Sequence, residues 1–311
     1  MLAALALAPV PPAPAPAPVS AAVPALPGPV AYVRDGDVYT SRGAIEKRLT
    51  TGGGHARPRW SPEGRRLAYL TGGRLWTMQA DGTGARRLTT RAAAGPSWSP
   101  DGKWIAFASL SCSGGPGVYR IPSAGGKVEV LFPNDCRHEP LPAEPAITGR
   151  RSPATLDERL RTDDAVAWSP DGRRVAFRGG DCESIVDDCL TIGTIADGTE
   201  QPVAGYGGGG TQNSGFAVVP AWRPDGAKLA WTAAQIGETP ASNEPIHVVE
   251  YDVASRTKRT LGTALDRELS YAGTGKAVVT GRYRNGSWLF LLDLATNTRT
   301  PLHPGSQPTS R

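Results

Sequence analysis

Apolar and polar residues alternate in short runs along most of this chain, and the runs come in a fixed order. Five of them read "RRLAYL" (65–70), "KWIAFAS" (103–109), "RRVAFR" (173–178), "AKLAWT" (227–232) and "KAVVTG" (276–281). Alternation with period two marks a strand with one face against a core. A tight polar turn precedes each run, and an aromatic residue precedes each turn: Trp60, Trp98, Trp168, Trp222 or Tyr271. A second apolar run follows ("RLWTMQ", "GVYRIP", "LTIGTIA", "IHVVEYD", "SWLFLLD"), then a hairpin with Gly, Asp or Asn and a last short strand. The same order, lacking its first strand, opens with "VAYVRDGDVYT" from Val30 and continues into "TSRGAIEKRLT".

Six units therefore span residues 30–302. With the one stretch that fits no repeat, Pro133–Thr162, set aside, each is about 40 residues long, the period of a four-stranded propeller blade. One blade cannot bury both of its faces, so blades must stack around an axis and close. The expected fold is all-β: a six-bladed β-propeller of four-stranded antiparallel blades, with one short helical insertion between blades 3 and 4. The recurring corner has a structural reason. The aromatic residue ends the innermost strand and wedges between blades, Pro presets φ, Asp bonds back to its own backbone and Gly takes positive φ. The inner strand of blade 1 must come either from "AAVPALPG" or from the C-terminal tail, 303–311.

The W-S-P-D-G corners with their following strands resemble the PD40, WD40-like propeller repeats of TolB-like proteins, and the likeness covers the six units. TolB itself carries an α/β N-terminal domain with no counterpart here, so a stand-alone propeller is expected. The resemblance implies an extracytoplasmic scaffold that binds a partner protein at one propeller face. Related propellers front prolyl oligopeptidase-type peptidases, but no hydrolase domain follows. Oligogalacturonate lyase-type relatives hold a metal with several histidines in the channel mouth, and a single candidate His does not reproduce that set.

Composition agrees with many turns: Gly 38 and Pro 29 disfavour long helices. The net charge of +5 is scattered over turns and strand ends, with no basic run, which argues against nucleic-acid binding. Residues 1–29 form a separate region. "MLAALALAPV" is too short to span a bilayer, and with Val19-Ser20-Ala21 it resembles a secretory signal, although no Lys or Arg precedes it. The Pro/Ala run after it reads as a semi-rigid spacer. Cys112 and Cys136, and Cys182 and Cys189, make an even set in loop-like settings. Two disulfides between local pairs are the expectation, with free thiols and a metal site as alternatives.

Candidate chemistry is sparse. There is no G-x-S-x-G elbow, and "AGTGKA" lies in register with the corner turns, so it reads as a turn and not a phosphate loop. Gly207–Gly210 reads as a linker between blades 4 and 5. His247 falls within a strand, His138 in the insertion and His303 in the tail. His55, Asp163 and Asp266 each stand five residues before the aromatic position, where inner strands enter the channel. With Arg57, Asp164, Arg267 and Glu268 they could meet at one mouth and hold a polar ligand, an ion or a partner's side chain. Salt bridges among themselves are the plainer alternative. In the insertion, Ser152 as N-cap, Pro153 at the first helical position and Leu156 and Leu160 four apart predict a short amphipathic helix. No catalytic residue, metal or cofactor is assigned. The expected protein is a monomeric, exported binding scaffold without a transmembrane span, its partner an envelope or extracellular protein or a small polar ligand. A secreted hydrolase or lyase is the rival.

Overall fold

The computed structural model describes residues 23–141, 155–161, 163–182, 186, 188–208 and 213–311. The signal-like segment through residue 22, Ser152, Pro153, and Gly209 and Gly210 lie outside these. Six four-stranded antiparallel sheets form a ring, a β-propeller with very little helix. Blade 1 contains β1 (Val30–Arg34), β2 (Asp37–Arg42) and β3 (Ile45–Arg48). Blade 2 contains β4 (His55–Trp60), β5 (Arg66–Thr71), β6 (Arg74–Gln79) and β7 (Arg86–Ala92). Blade 3 runs through β8 (Ala94–Trp98), β9 (Trp104–Leu110), β10 (Pro116–Pro122) and β11 (Glu129–Phe132). After helix α1 (Leu156–Arg161), blade 4 follows as β12 (Val166–Trp168), β13 (Arg174–Arg178), β14 (Asp188–Thr194) and β15 (Glu200–Tyr206). Blade 5 has β16 (Ser214–Trp222), β17 (Lys228–Ile236), β18 (Glu244–Asp252) and β19 (Lys258–Leu261). Blade 6 has β20 (Arg267–Tyr271), β21 (Lys276–Tyr283), β22 (Gly286–Asp293) and β23 (Arg299–Pro304).

The last strand, β24 (Ser306–Ser310), settles how blade 1 is completed. It pairs antiparallel with β1, giving the order β24-β1-β2-β3, so the tail and not "AAVPALPG" supplies the innermost strand. The propeller boundary at residue 302 is corrected accordingly. Residues 303–311 belong to the ring, because an unpaired β1 edge needs a partner for its backbone groups.

The corners behave as their composition requires. Gly64, Gly102, Gly172 and Gly226 each donate their amide to the carbonyl three residues earlier, and each has φ between 68° and 75°. Asp101, Asp171 and Asp225 accept the amide two residues on, at 3.1, 3.0 and 3.0 Å. The Ser before Pro has a role that the turn alone does not need. Ser99 Oγ accepts the Trp104 amide and Ser169 Oγ the Arg174 amide, both at 2.9 Å, which pins the start of the next strand. "AGTGKA" is the equivalent corner of blade 6, with Ala272 N donating to Lys276 O at 2.8 Å.

The core sits between blades. Each seam has its own apolar cluster; at blades 2 and 3, for example, Ala68 and Leu75 meet Trp98, Ile105, Phe107 and Tyr119. Burying a large side chain in such a seam stabilises by about 2–3 kcal/mol. Trp98 and Trp222 add a directional contact across the seam, their indole N–H groups donating to Arg59 O (3.0 Å) and Ala167 O (3.1 Å) of the preceding blade. Tyr271 does the same through its hydroxyl to Glu250 Oε1 at 2.8 Å. Trp168 instead donates to Gly172 O in its own corner at 3.1 Å, and among the described residues the buried Trp60 indole nitrogen has no partner.

Both expected disulfides are present, Cys112–Cys136 and Cys182–Cys189. The first ties the β9–β10 loop to a 3-10 turn, Asn134–His138, that begins the insertion. The expected cap at Ser152 and Pro153 lies outside the described residues; the described helix runs Leu156–Arg161. Thr155 Oγ1 accepts the Glu158 amide (3.1 Å) while Glu158 Oε2 accepts the Thr155 amide (2.9 Å). This reciprocal box satisfies two donors at once and caps the described helix at Thr155.

Candidate functional site

Innermost strands bulge just before the aromatic position. Register shifts lie between Ala56 and Arg59, Ala94 and Ser97, Val218 and Ala221, and Arg267 and Ser270. At the residue three before the aromatic position, Arg57, Val219, Glu268 and Gln307 all have positive φ, from 51° to 57°. Bulges re-aim a side chain, and here the residue in that slot turns to the central channel. Gly95 occupies the slot in blade 3, and a Cβ there would meet Ala165 of blade 4 at 2.3 Å, so the ring is closely packed.

Three of the seven candidates meet, two of them, Arg57 and Glu268, in bulged slots. Arg57 pairs with Asp163 and with Glu268, the latter at 3.0 Å. Arg159 of α1 reaches the same Glu268 Oε1 at 3.3 Å, and Gln307 donates its amide to Oε2 at 3.1 Å. Gln307 also returns its side-chain oxygen to the Arg57 amide at 2.7 Å. Burial by itself would raise the Glu268 carboxyl, but Arg57, Arg159 and Arg267 together hold it well below its ordinary range. Burial pushes the Arg57 guanidinium down from its usual value, opposed by Glu268.

The other four candidates do not join this cluster, which corrects the expected single meeting point. His55 bonds Thr71 Oγ1 (2.9 Å) and Thr51 O (3.3 Å) and lies 3.7 Å from Asp37. Asp164 pairs with Arg178 at 2.5 Å. Asp266 accepts the Thr263 amide at 2.7 Å and pairs with Arg299, and burial raises its carboxyl against both of them. Arg267 donates to Leu265 O (3.0 Å) and Ser287 Oγ (2.8 Å). The bulge accounts for part of this: it sends Arg57 and Glu268, three before the aromatic, inward and leaves His55, Asp266 and Arg267 on local partners, whereas Asp163, five before Trp168, reaches Arg57 from the segment that links α1 to β12. Helix α1 completes the mouth. Leu160 is fully buried against Ala165, Phe216, Val218 and Val219, so the chain's own helix packs where a ligand would enter.

A separate cleft of about 780 Å³ lies between blades 3 and 4, lined by Ser111, Pro116, Asn134, Arg178, Asp188 and Glu200 among others. Both disulfides frame it. Asp188 accepts the Ala217 amide at 3.1 Å and has Arg178 at 3.8 Å. Burial pushes its carboxyl up to about 6, with Arg178 opposing. A raised folded value means this proton's stabilisation is complete below the ordinary value of 3.8 and is lost as pH rises through about 6. Asp188→Asn keeps the acceptor for Ala217. It is expected to flatten the stability profile between pH 4 and 6 and to gain on the order of 1–2 kcal/mol at pH 8. Urea midpoints across that range check it; a profile parallel to the parent protein's would contradict the assignment.

Sequence reasoning missed Arg159, Gln307, Asp188 and Arg59. Arg59 alone had a visible signal, as the one charged residue in a column otherwise occupied by Ser97, Ala167, Ala221 and Ser270.

Fold and channel together define a six-bladed β-propeller closed by its own C-terminal strand. TolB from Acinetobacter baumannii has this fold, with a TM-score of 0.68 at 17% identity over 94% of this chain and 68% of that one. A protein assigned as TolB from Agrobacterium tumefaciens scores 0.61 at 16% identity over 90% of each chain. A gluconolactonase from Xanthomonas campestris scores 0.55 at 14% identity, over 93% of this chain and 90% of that one. These likenesses establish the fold. No protein-family model matches the chain, and no curated protein matches it in sequence.

Proposed function

We propose that the protein is an exported, non-catalytic TolB-like scaffold that recognises a protein partner through the 133–162 insertion and the adjoining cleft between blades 3 and 4. One observation carries this reading: the Glu268 carboxylate at the channel mouth is engaged by the chain itself, through Arg57, Arg159 of α1 and Gln307. Recognition then falls to loops held on a rigid frame. The disulfides support export, since such bonds persist in oxidising compartments. Among the described residues, no helix is long and apolar enough to cross a membrane.

The test replaces residues 139–154 with a Gly/Ser segment of equal length, keeping Cys136 and α1. Pull-down from an envelope fraction should retain a partner on the parent protein and lose it on the variant. Identical retention by both would overturn the reading. The hydrolase or lyase alternative draws on one observation, the raised carboxyls of Asp188 and Glu200 in the cleft. Turnover of a sugar lactone, a polyuronate or a peptide by the purified protein, abolished by Asp188→Asn, would favour it instead.

A further inference from the structure

Below the bulged slot, the residue just before the aromatic position forms a second tier on the innermost strands: Arg59, Ser97, Ala167, Ala221, Ser270 and Thr309. Its short members reach the next blade's strand. Ser97 Oγ accepts the Trp168 amide and Ser270 Oγ accepts the Ser310 amide, both at 2.9 Å. Arg59 is the one charged member, and its Nη1 donates to Pro58 O at 2.9 Å. Among the described residues, no carboxylate lies within ion-pairing distance of it. Just above, Arg57 is 2% exposed, and among the described residues its Nη1 has no hydrogen-bond partner, although Nη2 faces Asp163 and Glu268.

Charge balance at this level of the channel is uneven. Before Arg159 is counted, Arg57, Arg59 and the nearby Arg267 stand against Asp163, Glu268 and the nearby Asp266, and Asp266 is itself paired with Arg299. Burial first, and Arg57 second, push the Arg59 guanidinium down to about 9, which still leaves it charged at neutral pH. Arg59 is half-buried, and a cation beside a second, buried arginine without a counter-charge of its own attracts an anion, since arginine does not relieve the repulsion by losing its proton. Its planar fork suits a carboxylate or another oxyanion.

We infer that the central channel beneath the Arg57–Glu268 pair is an anion site, in which Arg59 and the free Nη1 of Arg57 hold one small carboxylate or oxyanion. The site is independent of any partner at the cleft. Isothermal titration of the full chain in HEPES without added salt tests it, with acetate, inorganic phosphate and chloride as separate probes. Saturable one-to-one binding of acetate or phosphate is expected, weakened at least about tenfold by Arg59→Gln. The tighter of the two identifies a carboxylate or a phosphate-like ligand. Ser97→Asp places a carboxylate on the neighbouring strand and still accepts the Trp168 amide. It should raise the thermal midpoint in the same buffer and remove acetate and phosphate binding, and it decides the matter if Arg59→Gln does not fold. Three outcomes would overturn the site: no saturable binding by the parent protein, binding of chloride alone, or undiminished oxyanion binding by these variants.

Discussion

Deleting Gly305–Arg311 unfolds the ring or leaves it with most of its stability gone. The lost segment pairs with β1 through Val30↔Ser310, Ala31↔Thr309 and Val33↔Ser306. Its contacts extend well beyond one sheet. Gly305 N donates to Ser287 O (2.9 Å), Gln307 N to Thr280 Oγ1 (3.2 Å) and Ser310 N to Ser270 Oγ (2.9 Å), all in blade 6. Towards blade 2, Gln307 accepts the Arg57 amide and Arg311 Nη2 donates to Glu63 O at 3.1 Å. At about 1 kcal/mol for each hydrogen bond, with the seam residues Val30 and Tyr32 newly exposed, the loss is about 5 kcal/mol or more. That rivals the whole stability of an ordinary domain. Denaturant unfolding followed by circular dichroism measures it, and a peptide spanning 305–311 supplied in trans should restore part of the signal. A truncated chain with the parent midpoint would show that the closure is dispensable.

Replacing Glu268 by Leu costs about 3–5 kcal/mol, because it leaves Arg57 buried beside Asp163 alone. Pairing it with Arg57→Met recovers part of that loss, since the two apolar side chains need no counter-charge while Asp163 gives up its Arg57 partner. The acid response gives an independent check. The folded carboxyl is held below its ordinary value of 4.5, so its contribution is complete above that value and is lost as pH falls beneath it. The parent protein should therefore weaken steeply below about pH 4.5, and Glu268→Leu should weaken less over the same range. Equal acid slopes for the two proteins would contradict the role given to this pair.

The corner motif made the architecture legible because each of its residues answers a local need that does not depend on the rest of the chain. The aromatic wedge, the Pro and Asp of the turn and its glycine are local chemistry repeated around a circle. The channel was less legible because a single extra residue in an inner strand reverses which side chains face inward. Counting back from Trp60 places His55 and Arg57 on equal terms, yet the bulge sends Arg57 to Glu268 and leaves His55 with Thr71. Arg159 was beyond reach for another reason. Its contact depends on how α1 folds back over the mouth, and no periodicity in the insertion encodes that direction. At the described end of the helix, Thr155 and Glu158 carry a capping box that the reading of the insertion passed over.

Arg311 N donates to Pro29 O at 3.1 Å, so the two ends of the folded chain meet. A circle of like units joined at that point has no privileged beginning. Linking the ends and reopening the chain at an exposed hairpin, such as the one at Asp197, should preserve all six sheets while making the closing strand an interior piece. The place where the gene starts would then matter to the order of synthesis and to export, but not to the finished architecture.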